Sequence, residues 1–289
     1  MRFRFISEKV ATFPVRAMCR ALGVSPAGFY AWRTRPRSLR SRDEERLAVE
    51  IESAHEESRG VYGSPRVAEE LRSRGRCIST KRVARIMREN GLRGRRRRRY
   101  KATTNSKHAV NVAPNLLARH FTASGPNEVW VTDVTAVSTG VGWLYLAAIV
   151  DLFSRAVVGW ATSSSNDTEF ALAALNAAVA ARRPSRGLVH HSDRGSPYAS
   201  HEYTKRLRQL GMVASMSRTG DCWDNAVAQS FFASLKGEHL DHDWYPSLTA
   251  AHAAIADYID QFYNPQRRHS TLGFLSPDEF ELRAQVLAA

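Results

Sequence analysis

The pattern of hydrophobic and polar positions changes character near Asn127. Before this point apolar residues recur every three or four positions, as in RDEERLAVEIESAHEES and TKRVARIMRENGL, which predicts amphipathic helices. After it, EVWVTDVTAVS and GWLYLAAIVDLFSRAVVGWATS are rich in valine, threonine and aromatic residues, which predicts three strands joined by turns. Helix and strand patterns then alternate. The chain is therefore predicted to have an all-helical front half followed by an α/β core.

The first 40 residues have the pattern of a helix-turn-helix. MCRALGVSPAGFYAWR contains a short helix, a turn at Gly23 and a second helix, for which Ser25 is a favourable N-cap and Pro26 a favourable first residue. Two helices joined by a glycine-containing turn are typical of DNA-binding modules, and an ordinary helical hairpin is the alternative. We predict a helix-turn-helix domain over residues 1–40.

A second helical module is predicted over residues 41–100. Its last helix carries four cations on its exposed face, Lys81, Arg82, Arg85 and Arg88. A helix that lies along a phosphate backbone presents such a face, and a solvated basic surface is the alternative. We expect this module to bind DNA.

An arginine-rich arm ends the second module. Like charges repel and do not pack together, so the run is predicted to be an arm that follows phosphates or enters a minor groove. A localisation signal is the alternative. Residues 101–122 are predicted to link this arm to the core. The five consecutive arginines are Arg95, Arg96, Arg97, Arg98 and Arg99.

The charge of the chain supports a nucleic-acid partner. The formal net charge is +14 and the pI is about 10.2, an excess that favours binding to a polyanion. No stretch approaches the roughly 20 apolar residues of a spanning helix, so we expect no membrane partner and an intracellular, cytoplasmic protein. The three cysteines are far apart, so any metal is expected to be held by carboxylates.

Two aspartates stand where strands are predicted. Asp133 interrupts the apolar run VWVTDVTAV, and Asp193 ends the short strand GLVHHSD. Each alone is a weak signal, since a hydrogen-bonded residue at a strand end or bulge gives the same pattern. Three antiparallel strands followed by alternating helices and strands, however, predict a sheet in which the first and fourth strands are neighbours, so the two carboxylates are expected to point to one place. His190 and His191, on the same strand, are predicted to pack in or behind the core.

Several motifs together resemble a known family. WVTDVTAV, HHSDRGSPY, SMSRTGDCWDNAVAQSFFASLKGE and YNPQRRHSTLGFLSPDEF are similar to segments of OrfB-type transposases of the IS-three-like insertion-sequence family, and GVSPAGFYAW in the front half is similar as well. The resemblance covers nearly the whole chain. It implies an α/β ribonuclease H-like core of the integrase type over residues 123–243, preceded by all-α helix-turn-helix modules. A C-terminal helix and basic tail are then expected over residues 244–289.

The resemblance also implies a catalytic triad and a cofactor. The family uses Asp, Asp and Glu, with about 35 residues between the second Asp and the Glu. The first two fall on Asp133 and Asp193, and the third falls on Gln229. The implied cofactor is a pair of Mg²⁺ ions, for which Mn²⁺ can substitute. An amide adds no negative charge, so we expect weak binding of one ion and a severe loss of turnover.

No nearby carboxylate is expected to replace the missing glutamate. Glu238 is nine positions after Gln229 and is predicted to face away, while Asp224 is predicted to cap the helix start. Asn225 is four positions before Gln229, shares its face and is predicted to line the site.

Further cations are candidates for contact with DNA. Lys236 is seven positions after Gln229 and shares its face, and Arg194 follows the second aspartate. A surface lysine without a role is the alternative for Lys236. The C-terminal tail is basic and includes an aromatic residue, which makes it a candidate surface for DNA or a second subunit. Its residues are Tyr263, Arg267, Arg268 and His269.

The implied reaction is cleavage at the ends of an insertion sequence followed by strand transfer. The implied partners are double-stranded DNA at the terminal inverted repeats, target DNA and further copies of this chain in at least a dimer. The upstream reading-frame product is a candidate partner. Three hypotheses compete: a transposase whose Glu was deliberately replaced by Gln229, a naturally inactive DNA-binding inhibitor of transposition, and a ribonuclease H-like nuclease. The otherwise intact motifs favour the first.

Overall fold

The computed structural model describes residues 1–35, 39–95, 113–218 and 222–288. The chain divides into two compact units, Met1–Ala54 and His55–Ala289. The predicted arm residues Arg96, Arg97, Arg98 and Arg99 lie outside the described residues, as does most of the predicted linker.

The first unit begins with three short helices, α1 (Arg2–Lys9), α2 (Val15–Ala21) and α3 (Pro26–Thr34). The predicted turn at Gly23 is present, with φ +62°, a conformation that glycine adopts without strain. Ser25 caps α3 as predicted, accepting a hydrogen bond from the Gly28 N–H at 3.4 Å. The longer helix α4 (Leu39–Glu57) follows. The buried side chains that join the three short helices are Ile6, Met18, Cys19 and Phe29.

A five-stranded mixed sheet forms the centre of the second unit. Its strands are β1 (Val129–Thr139), β2 (Gly142–Asp151), β3 (Val157–Ser163), β4 (Val189–Ser192) and β5 (Val213–Met216). Their order in the sheet is β3-β2-β1-β4-β5. β1 pairs antiparallel with β2, and β2 with β3, whereas β4 runs parallel to both β1 and β5. This is the predicted arrangement, in which the first and fourth strands are neighbours.

Helices cover the sheet on both faces. Beyond α4, the second unit contains α5 (Ser64–Ser73), α6 (Thr80–Glu89), α7 (Thr168–Arg182), α8 (Ser196–Ala199), α9 (His201–Leu210), α10 (Ala226–Glu238), α11 (Leu248–Ala256) and α12 (Pro277–Ala288), of which α7, α9, α10 and α11 pack against the strands. Trp130 and Val131 are consecutive residues of β1 and are both fully buried, although neighbouring side chains on a strand point to opposite faces. Helices α7 and α9 share one apolar cluster with the strands, and α10 and α11 pack against β1 and β2.

The C-terminal residues predicted to be a basic tail are folded into the second unit. Arg267 is 2% exposed and donates from Nε to Glu238 Oε2 at 2.6 Å. Arg268 is 9% exposed and donates from Nε to Glu70 Oε2 of α5 at 2.7 Å, and Tyr263 is buried as well. The prediction that these two arginines belong to an open surface for DNA or a second subunit is wrong, because their guanidinium groups bind carboxylates of α10 and α5 inside the unit.

None of the helices in the described ranges combines the length and the apolar character needed to span a membrane.

Candidate active site

The two predicted aspartates lie at the same level of adjacent parallel strands. Val131 of β1 is paired with His191 of β4, and each carboxylate follows two residues later, at Asp133 and Asp193. Asp193 directly follows the end of β4, and the short helix α8 begins three residues after it. The topology therefore brings the pair together at one end of the β1–β4 ladder.

Each carboxylate is held by the backbone that follows it. Asp133 Oδ1 accepts from the Val134 N–H at 2.8 Å, and Asp193 Oδ1 accepts from the Gly195 N–H at 2.9 Å. Loss of hydration, together with the neighbouring Asp193 carboxylate, raises the pKa of Asp133 to about 8. Loss of hydration also raises the pKa of Asp193. A bound cation would favour the ionised form of both acids.

Helix α10, which carries the predicted third position, packs against the same strand. Asn225 precedes α10 and donates from Nδ2 to the Thr132 carbonyl at 2.9 Å, which fixes the helix start beside Asp133. Gln229 is four residues further on, so it lies on the same helix face as Asn225. The Gln229 residue is exposed, whereas Asn225 is 2% exposed and its Oδ1 has no hydrogen-bond partner among the described residues.

Asp224 has a different role from the one predicted. Its carboxylate does not cap α10, because it is fully buried and accepts hydrogen bonds from Asn115, Arg119 and Arg218. The Arg218 guanidinium holds the pKa of Asp224 well below its usual range. Sequence patterns missed Arg119 and Arg218, because the first falls in the predicted linker and the second in the turn after β5.

Glu238 is unavailable to the site, as predicted from the helix geometry. Its carboxylate pairs with Arg267 and accepts from the Tyr258 hydroxyl at 2.8 Å. Lys236, seven residues after Gln229, is partly buried. No carboxylate on α10 therefore substitutes for a glutamate at position 229.

The two strand histidines pack in the core. His190 is 1% exposed and lies against Tyr203, with 3.3 Å between His190 Nε2 and the tyrosine hydroxyl. His191 lies between the hydroxyls of Ser215 and Ser217, at 2.8 and 3.1 Å. Burial lowers the pKa of His190 to about 3 and that of His191 to about 4, so both rings are neutral at pH 7.

The cations predicted to contact DNA have separate locations. Arg194 donates from Nε to the Ser217 carbonyl at 2.8 Å and directly follows Asp193 in the chain. Arg95 donates to the Glu238 carbonyl, at the end of α10. Arg194 thus adjoins Asp193 in the chain and bonds to the residue after β5, while the cations of the second helical module are on α6. There, Lys81 is exposed, and Arg82 and Arg85 are partly buried.

The donor set at the site consists of oxygen atoms. Across the described ranges, no group of three His, Cys, Asp or Glu side chains is arranged to hold a metal ion. The carboxylates of Asp133 and Asp193 converge, Asn225 bonds to the strand next to Asp133, and Gln229 is on the helix that Asn225 precedes. Hard oxygen donors of this kind fit Mg²⁺ or Mn²⁺ rather than a metal that prefers thiolate or imidazole.

Known domain families match most of the chain. Residues 123–222 match an integrase core domain family, residues 210–277 match a second integrase core domain family, and residues 42–100 match an HTH-like domain. The fold and these matches define a protein with an integrase-type core and an N-terminal helical region.

Two curated relatives are similar over nearly their full length. The chain is 43% identical to the insertion element IS600 uncharacterized 31 kDa protein of Shigella sonnei, covering 94% of this chain and 100% of that protein. It is 39% identical to transposase InsF for insertion sequence IS3A of Escherichia coli (strain K12), covering 97% of this chain and 98% of that protein. The chain belongs to the IS3 family of insertion-sequence transposases.

Solved structures of viral integrases are also similar. The simian T-cell lymphotropic virus intasome in complex with PP2A regulatory subunit B56 gamma matches 80% of this chain and 74% of its own, with TM-score 0.46 and 15% identity. The HTLV-2 integrase catalytic core domain in complex with magnesium matches 55% of this chain and 98% of its own, with TM-score 0.42 and 18% identity.

Proposed function

We propose that this transposase has the catalytic site of a polynucleotidyl transferase, with Asp133, Asp193 and position 229 as its three ligand positions. The observation that carries the proposal is the pair of carboxylates at one level of β1 and β4, beside the start of α10. The substrates are the ends of its insertion sequence and then target DNA. The chain would therefore act on DNA of the bacterial nucleoid.

The residues at the site fit a divalent cation. Asp133 and Asp193 would hold Mg²⁺, or Mn²⁺ in its place, and the bound ions would supply Lewis-acid polarisation of the phosphodiester and of the attacking oxygen. The backbone N–H groups of Val134 and Gly195 hold the two carboxylates in fixed positions. Asn225 holds the helix that carries position 229 against β1.

The reaction consists of two displacements at phosphorus. In the first, water attacks the phosphodiester at the element end, a P–O bond forms, the bond to the 3′ oxygen breaks, and a 3′-hydroxyl is released. In the second, that 3′-hydroxyl attacks a phosphodiester of another strand and displaces its 3′ oxygen. Two ends must meet for this, so we propose that the chain works as at least a dimer on terminal inverted repeats. The upstream reading-frame product is a further proposed partner.

Gln229 limits this chemistry in the present chain. Its amide can offer an oxygen to a cation but no charge, so we propose that the chain binds element ends and turns over slowly. A naturally inactive DNA-binding inhibitor of transposition is the second candidate, and Gln229 itself is the observation that favours it. A glutamate at position 229 separates the two, because only a site that is otherwise intact regains activity.

The test is an assay of end cleavage and joining with a labelled duplex of the terminal repeat that flanks the coding region. The protein carries Gln229→Glu, and Mg²⁺ is added or withheld. We expect nicked and joined products that require the ion and that disappear when Asp133→Asn or Asp193→Asn is added. Normal binding of the duplex without any product would overturn the catalytic assignment and favour the inhibitor. Cleavage without joined products would favour a nuclease.

A further inference from the structure

One buried carboxylate accepts hydrogen bonds from two arginines next to the candidate active site. Asp224 Oδ2 accepts from Asn115 Nδ2 at 2.8 Å and from the Arg218 backbone N–H and Nε, both at 3.0 Å. Its Oδ1 accepts from Arg119 Nε at 3.2 Å and from Arg218 Nη2 at 3.0 Å. These four residues, Asn115, Arg119, Arg218 and Asp224, are called the Asp224 cluster. Its carboxylate is saturated by donors of the chain itself.

The Asp224 cluster presents two arginine side chains at the surface. The Asp224 side chain is completely buried, whereas those of Arg119 and Arg218 are 49% and 57% exposed. Both guanidinium groups are permanently charged and each bonds to the buried Asp224 carboxylate. A guanidinium that is held at one edge by a buried carboxylate keeps a fixed orientation, and about half of each arginine side chain faces solvent.

The cluster adjoins the strands that carry both candidate catalytic carboxylates. Asn225, the residue after Asp224, donates to the Thr132 carbonyl, next to Asp133. Ser217, the residue before Arg218, offers its carbonyl to Arg194, next to Asp193. The residue after Asp224 thus bonds to the neighbour of Asp133, and the residue before Arg218 bonds to the neighbour of Asp193.

We infer that Arg119 and Arg218, held in place by Asp224, form a binding subsite for a backbone phosphate of the DNA strand that enters the active site. The inference rests on the proposed function, because it requires a DNA strand at the carboxylates. Phosphate is the favoured ligand, since a planar guanidinium binds its oxygens in pairs and about half of each arginine side chain is exposed. Asp224 acts as a positioning residue, and the arginines contact the DNA.

The first test removes each arginine from the chain that carries Gln229→Glu. Binding of the labelled terminal-repeat duplex is measured over a series of salt concentrations, together with kcat and KM for joining. Arg119→Ala and Arg218→Ala are each expected to raise Kd and KM about tenfold and to reduce the salt slope of binding by about one. Arg208→Ala on α9 is the control and is expected to leave these values unchanged. It removes an exposed arginine whose hydrogen bond, within the described part of the chain, goes to the Thr204 carbonyl.

The second test uses Asp224→Asn to separate positioning from charge. This substitution raises the net charge by one, so a purely electrostatic role of the arginines predicts tighter DNA binding. A positioning role predicts the reverse, a Kd and KM several-fold higher with kcat retained, because the guanidinium groups lose their fixed geometry. Thermal unfolding checks that the variant is folded; if it is not, the single arginine variants decide alone.

The outcomes distinguish this inference from the function on which it rests. Joining by the Gln229→Glu chain with unchanged Kd, KM and salt slope in both arginine variants would overturn the subsite and leave the transferase intact. Normal duplex binding without joining in the Gln229→Glu chain would overturn the proposed function. In that case, weaker binding by the arginine variants would still support the phosphate subsite.

Discussion

Asp133 and Asp193 are each two residues beyond the paired residues Val131 and His191 of two parallel strands. Parallel pairing keeps a constant register between the two strands, so the two aspartates lie at the same level of the sheet. Each is held by a backbone N–H that follows it, and each has a raised pKa. The fold therefore holds two carboxyl groups so close together that their negative charges repel each other when both are ionised. A bound divalent cation would relieve this repulsion.

Gly195 keeps the second carboxylate in position. A Cβ at this residue would lie 2.9 Å from Asp193 Oδ1, although the backbone, with φ −61° and ψ 148°, suits any residue. In the Gln229→Glu chain we expect Gly195→Ala to fold normally and to lose about 100-fold in joining rate, because the carboxylate must rotate away. The measurement is the joining rate alongside thermal unfolding. An unchanged rate would show that the position of Asp193 is not critical.

The buried pair of Glu238 and Arg267 is expected to be important for stability. Removing one partner from a buried ion pair leaves an uncompensated charge, so Arg267→Ala should lower the free energy of unfolding by about 3–5 kcal/mol. Arg85→Ala breaks an exposed pair with Glu89 on α6 and should cost about 0.3–0.5 kcal/mol. Urea unfolding of both variants makes the comparison. Equal losses would contradict the distinction between them.

Acid is expected to destabilise the chain through His190. Its pKa is lowered by burial to about 3 in the fold, against 6.5 for the free side chain. Between pH 6.5 and 3, His190 is protonated in the unfolded chain but neutral in the folded chain. The stability present above pH 6.5 is therefore lost as the pH falls toward 3. The expected slope from this group is about 1.4 kcal/mol per pH unit. His190→Gln, which does not titrate, should reduce the slope of unfolding free energy against pH. An unchanged slope would show that His190 is not the source of the acid sensitivity.

The sheet and the carboxylate pair were predictable because both depend on local patterns and a simple topological rule. The apolar run around Asp133 and the strand that ends at Asp193 are visible in the chain, and the order of strands makes them neighbours. The turn at Gly23 and the cap at Ser25 were predictable for the same reason, since each depends on residues adjacent in the chain.

The roles of several charged residues were not predictable from local patterns. Arg267 and Arg268 have the composition of a solvated tail, yet their partners Glu238 and Glu70 lie 29 and 198 residues away. Asp224 has the position of a helix cap, but Arg119, 105 residues earlier, bonds to it instead. Pairings over such distances are decided by the packing of the whole unit, which leaves no periodic signal.

The most direct test of the central claim compares joining rates of the unchanged chain and of Gln229→Glu on the same element-end duplex in Mg²⁺. If position 229 is the third ligand position beside Asp133 and Asp193, the glutamate should raise the rate by on the order of 100-fold or more, with little change in duplex binding. A ratio near one, with both proteins folded and bound to the duplex, would contradict the assignment.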